Sequence, residues 1–209
     1  MRTATVNYEV YKYNELSESA KEKVKQWYLE GQEPMVFSEM VKEDLNCLFG
    51  KNGLDVQYSL SYCQGDGLNI YGEIDASDIF KCLEEHNGGT QLAEFENVLT
   101  DKEKRTILHY ASECNMVKLP MNRHYCYSLA DYIDITEDWG YQLEWYSGYN
   151  NINLEALEKF EKLVRNMFHK LCKGYEKWGY EFFYEIPEEE LEEICEANEY
   201  EFLEDGTIF

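Results

Sequence analysis

Between Glu181 and Phe209 the chain carries twelve carboxylates and no lysine or arginine. Carboxylates at this density can do three kinds of chemistry: accept hydrogen bonds from a basic partner, hold a divalent cation, or work as an acid and base pair. The acids alternate with Phe182, Phe183, Ile186, Leu191, Ile194, Cys195, Tyr200 and Phe202, so the segment has too much to bury to be a solvated acidic tail. Acids fixed on a folded surface keep their spacing, and fixed spacing can imitate a row of phosphates. Glu188, Glu189, Glu192, Glu193 and Glu196 are therefore candidate contacts to a basic protein partner.

A second candidate is the turn Gln64-Gly65-Asp66-Gly67. It is no phosphate loop, because neither GxxxxGK[ST] nor GxGxxG is present and the residues after it read as a strand, so no helix N-terminus faces a phosphate. Glycine supplies the positive φ of a hairpin tip, which explains the turn on conformational grounds alone. Gln64 and Asp66 join the candidate partner contacts. Asp131, Asp134, Glu137 and Asp138 lie close together without the D-x-D-x-D-G calcium pattern. His86, His109, His124 and His169 form no HExxH, and no serine or cysteine stands in GxSxG. The seven cysteines include no CxxC pair and are an odd number, which predicts reduced thiols packed as small hydrophobes instead of a disulfide or zinc framework. These residues predict neither catalysis nor a metal or cofactor site.

The elements that must position the acids follow from periodicity. Alternation over 6–12, with Val6, Tyr8 and Val10 on one face, predicts a half-buried strand. Ser17 caps a helix ending near Gly31, and Ser38 caps a second, closed by Gly53. Residues 56–62 and 68–74 flank the Gly-Asp-Gly turn as an antiparallel hairpin burying Val56, Tyr58, Leu60, Tyr62, Leu68, Ile70 and Ile74. Ser77 caps a helix closed by Asn87-Gly88-Gly89, and Thr100 caps another through Ile107. A strand is predicted over 122–129, extended by or paired with 132–135, with loop or irregular strands from Asp138 to Asn151. From Asn153 a long helix buries Leu157, Phe160, Val164, Phe168, Leu171 and Tyr175. Pro187 opens a last helix, and 200–209 reads as a hairpin around Asp205-Gly206. The expectation is one α+β domain over 1–209: a small antiparallel sheet (N-terminal strand, central hairpin, mid-chain strands) packed by several helices, with residues 181–209 as an acidic helix-hairpin module.

Composition sets the outer bounds. The 209 residues hold 42 Asp and Glu against 19 Lys and Arg, a formal charge of −23, and 44% are hydrophobic, enough for a core. Such a charge repels a phosphate backbone and an anionic membrane alike, so neither nucleic acid nor membrane is expected as a direct partner. The opening Met1-Arg2-Thr3-Ala4-Thr5 lacks the apolar core of a signal peptide, and no apolar run reaches membrane-spanning length, which predicts a cytoplasmic protein. The excess is localised: −12 lies in the last 29 residues and −11 in the preceding 180.

Four segments resemble a known family: residues 15–23, the run Tyr58-Ser59-Leu60-Ser61-Tyr62-Cys63-Gln64-Gly65-Asp66-Gly67, residues 123–128, and 196–206. They are similar, in order and relative position, to small bacteriophage and prophage accessory proteins with a YSLSYxQGDG-type signature, often labelled "antitoxin of toxin-antitoxin stability system". Cys63 stands where that signature has serine. The resemblance implies a phage or mobile-element accessory protein acting in an infected or lysogenic bacterial host, and brings no catalytic residues with it. With the charge, it predicts an acidic inhibitor of the anti-CRISPR or anti-restriction type that blocks a basic nucleic-acid-binding surface of a host defence protein. The alternative is an antitoxin-like or regulatory protein that masks a toxin or host factor without mimicking nucleic acid.

Overall fold

A computed structural model describes residues 7–50, 53–85, 92–122, 126–145 and 147–209. Among them are seven α-helices and a three-stranded antiparallel sheet. Helix α1, Glu18–Glu30, opens on Ser17, whose Oγ accepts from Ala20 N at 3.3 Å, and closes at Gly31 as its sequence predicts. Helix α2, Pro34–Phe49, starts four residues before the expected Ser38 cap. Proline suits a first helical position, where a missing N–H costs nothing. Ser38 instead meets the Tyr58 hydroxyl at 3.1 Å. The helix ends one turn earlier than Gly53, at Gly50, whose φ of +76° is the left-handed conformation that releases a chain from a helix.

Strand β1, Asp55–Ser59, pairs with β2, Gly67–Ile74, in the register Tyr58 opposite Leu68, and β2 pairs with β3, Val117–Leu119. The hairpin is shorter than its alternation suggests, since the chain leaves the ladder after Ser59. Tyr62, expected inside, has φ +55° and is exposed. The N-terminal strand over 6–12 is not formed by residues 7–12; Val6 lies outside the described residues. Alternation needs a neighbouring strand to pair with, and among the described residues this segment has a single bridge, Tyr11 to Phe202, leaving Tyr8 and Val10 exposed. The strand over 122–129 is corrected as well: residues 123–125 lie outside the described residues, and 126–129 crosses over Gly67, where a Cβ would stand 2.7 Å from Tyr127 Cα. The third strand is β3, stopped by Pro120, too short to announce itself by alternation.

Helices α3, Ala76–Glu85, and α4, Asp101–Ala111, follow the two strands of the hairpin and precede β3. The Thr100 and Glu103 side chains form a reciprocal capping box on α4. The Asn87-Gly88-Gly89 closure of α3 lies outside the described residues. Residues 130–132 form a 3-10 turn, not a strand extension, and helix α5, Thr136–Trp145, occupies the region read as loop. Its N-terminus is capped from far along the chain: Glu161 Oε2 accepts from Ile135 N at 2.9 Å and Thr136 N at 2.8 Å, while Arg165 holds the other carboxylate oxygen at 2.8 Å. Glu161 and Arg165 sit on helix α6, Leu154–Tyr184, which starts at the Asn153 cap and buries its apolar stripe. Helix α7, Glu188–Ala197, follows Pro187.

The chain divides into two compact units, one made of Met1–Val36 with Trp178–Phe209, the other of Phe37–Lys177. In the larger unit Phe160 contacts Phe80 and Trp139 at ring distances of 5.4 and 5.9 Å, and Phe49 stacks on Phe168. In the smaller, the buried residues of α1 (Ala20, Val24) pack with Tyr13, Leu16, Ile186, Leu191, Cys195 and Phe202. No helix among the described residues is long and apolar enough to cross a membrane.

Candidate functional site

The acids of α7 are placed by what the helix buries. Leu191 and Cys195 are fully inside, so the residues opposite them must face out. At 3.6 residues per turn, Glu189, Glu192, Glu193 and Glu196 fall within an arc of about 100° and span about 10 Å along the axis. Glu188, at the edge of the buried face, is committed to Lys21 at 2.8 Å. Among the described residues, Glu189, Glu190, Glu192, Glu193 and Glu196 make no ion pair. First-turn acids favour the positive end of the helix dipole, but Glu196 lies in the last turn, where no cation offsets it. Helix stability does not explain that placement.

The stripe is held on a scaffold from the other end of the chain. Lys23 donates to Asp205 at 2.7 Å and to Thr207 Oγ1 at 2.8 Å, and Lys12 lies 3.5 Å from Glu201. Trp27 of α1 meets the rings of Tyr200 and Phe202 edge-on at 5.5 and 6.3 Å. Gly206, φ +80°, sits directly on the backbone of Ala20. The Lys23 ammonium first, then the Thr207 hydroxyl and amide, hold the Asp205 carboxyl well below its ordinary 3.8. A depressed folded value stabilises the fold above the unfolded value, and that contribution is lost as pH falls through the folded one. Urea unfolding of the wild type and Asp205→Asn should therefore differ by a constant amount from pH 7 to about 5, and the difference should shrink below about pH 4; a gap that widens on acidification would refute this linkage.

Beside the stripe is a groove of about 540 Å³ in the smaller unit, between the 3-10 turn Tyr13–Glu15 and the C-terminal end of α7. Glu192 and Glu196 come from the helix, Glu199 and Glu201 from the segment after it, and Tyr13 and Tyr200 supply rings. That segment turns because Glu199 has φ +56°, the left-handed position that ends a helix, here without glycine. Tyr200 N closes the turn by donating to Cys195 O at 3.0 Å.

Gln64 and Asp66 belong to the other unit. Asp66 gathers its own loop, accepting from Ser61 N at 2.6 Å, Cys63 N at 3.0 Å, Ser59 Oγ at 3.0 Å and Cys63 Sγ at 3.1 Å. Its carboxylate builds the turn, and Gln64 is exposed at the tip. Asp134 likewise caps a helix, accepting from Glu137 N. His109 pairs with the Tyr149 hydroxyl at 2.6 Å, and His169 lies on α6; His86 and His124 lie outside the described residues. Among the described residues no three His, Cys, Asp or Glu side chains are grouped to hold a metal ion. Cys82, Cys172 and Cys195 are buried with thiols pushed up to about 11 by desolvation, whereas Cys47 and Cys63 are exposed.

The α7 acids were readable from one helical period. The groove was not, because Lys12 and Glu199, which meet across it, stand 187 positions apart. No protein-family model, curated protein or solved structure matches the chain.

Proposed function

We propose that the protein acts by binding another protein, as a phage or mobile-element accessory factor whose α7 surface occupies a basic nucleic-acid-binding site on a host defence protein. One observation carries this reading: four carboxylates, Glu189, Glu192, Glu193 and Glu196, share one face of a helix anchored at both ends of its module, with no cation among the described residues paired to them. The smaller unit holds 18 acids against 5 bases in 68 residues, so opposite charge would steer a basic partner toward it.

The test begins with capture of the partner from bacterial lysate at low salt and release at high salt. Converting Glu189, Glu192, Glu193 and Glu196 to lysine should weaken its binding by about a hundredfold or more, near 3 kcal/mol. Unchanged binding by that variant would sink the proposal. Excess DNA or RNA should displace a nucleic-acid mimic from the partner; a complex that resists it would favour antitoxin-like masking instead.

A further inference from the structure

We infer that the groove beside α7 receives an arginine side chain of the basic partner, so that recognition has a specific anchor within the general attraction of the acidic face. The inference rests on the protein-binding reading above and names the chemistry of its contact.

Four features of the groove point to a guanidinium. Its walls carry Glu192, Glu196, Glu199 and Glu201 against the single cation Lys12, whose ammonium is already placed 3.5 Å from Glu201 and 3.5 Å from Glu199 O. Three carboxylates are thus left without a cation among the described residues on two sides of one cavity. Tyr13 is 4% exposed, and its hydroxyl, which is not sealed from solvent, has no hydrogen-bond partner among the described residues. A multi-donor ligand can offer that oxygen the hydrogen bond it lacks within the protein. Lys21 Nζ, from outside the groove lining, lies 5.4 Å from the centre of the Tyr13 ring, so the ring itself already takes a cation against its face. Tyr200 adds a second ring, whose hydroxyl has no hydrogen-bond partner among the described residues.

The acids do not converge as a metal site. Spread along a cavity of about 540 Å³, they suit a larger cation that presents several donors at once. Guanidinium has five N–H donors in a planar fork and stacks on tyrosine; ammonium is a compact, strongly hydrated point charge that uses such spread acceptors poorly.

The experiment titrates the full-length protein with two peptides of equal charge, acetyl-(Arg-Gly)3-amide and acetyl-(Lys-Gly)3-amide, by calorimetry at low salt. The arginine peptide should bind roughly fivefold tighter or more. Tyr13→Phe and Glu196→Gln should each erase most of that preference, and thermal melts of both variants confirm the fold. Glu189→Gln with Glu193→Gln, on the outward stripe, should weaken both peptides alike and preserve their ratio. Equal affinity for the two peptides, or a preference unmoved by Tyr13→Phe and Glu196→Gln, overturns the arginine anchor. If those two substitutions change nothing while lysine substitutions on the stripe still abolish partner capture, the groove fails and the proposed function stands. If the stripe variant also captures the partner normally, both fail.

Discussion

Gly206→Ala is expected to destabilise the unit formed by the two chain ends by about 2–5 kcal/mol. Two effects combine at this position. With φ at +80°, any L side chain occupies the left-handed region, and its Cβ would be driven into the carbonyl oxygen of Ala20, backbone that cannot swing aside as a side chain would. The turn it closes, with Gly206 N donating to Leu203 O at 2.9 Å, seats Asp205 and Thr207 against Lys23. Gly50→Ala is the matched control: φ is +76°, but nothing lies within 4 Å of the added carbon, so only the conformational cost of about 1–2 kcal/mol applies. Chemical denaturation, with hydrogen exchange at the Tyr11 and Phe202 amides as the local probe, separates the two. A Gly206→Ala midpoint equal to that of Gly50→Ala would mean the contact with α1 carries no weight. Partner binding should fall with Gly206→Ala, because the acidic face loses the helix that supports it.

Asn69→Ala should be of similar size in the larger unit, about 3–5 kcal/mol. Asn69 is the buried polar residue at the centre of β2, 1% exposed. Its Nδ2 donates to Pro120 O at 2.9 Å and its Oδ1 accepts from Leu129 N at 2.8 Å, tying β3 and the start of the 130–132 turn to the middle strand. Removing the amide leaves the carbonyl of half-buried Pro120 and the buried N–H of Leu129 without their partner together. Asn69→Asp sharpens the argument, since it keeps the acceptor but turns an oxygen toward Pro120 O. Only the protonated carboxyl can donate there, so its folded pKa must rise above the unfolded value. The penalty should therefore be small below about pH 4 and grow as pH rises through the folded value. An aspartate variant whose deficit is the same at pH 3.5 and pH 7 would show that the Pro120 contact is not the source.

What the sequence made legible was whatever a short stretch decides alone. Ser17, Thr100 and Asn153 open helices because a side-chain oxygen three residues from an amide needs no distant help, and the Gly-Asp-Gly tip folds on its own φ preferences. Helix α5 was hidden because two of its opening amides are held by Glu161, on another helix, beside the local Asp134 cap, and a local reading of Trp139, Gly140 and Tyr141 sees only aromatics and glycine. The strand expected over 6–12 had the right alternation but only Phe202 to pair with. At the candidate site the same division holds. The stripe on α7 is a property of one helix, while the groove and the Gly206 seat exist only where chain ends meet.

The assembly of one unit from both ends also sets a schedule. Helix α1 is made with Ala20 and Val24 uncovered, because the residues that cover them, Leu191, Cys195 and Phe202, lie more than 160 positions further along the chain. At roughly 5–20 residues per second, the interval is on the order of ten seconds or more. The acidic face therefore gains its full support only when translation has passed residue 206, and a chain interrupted before that point exposes the apolar face of α1.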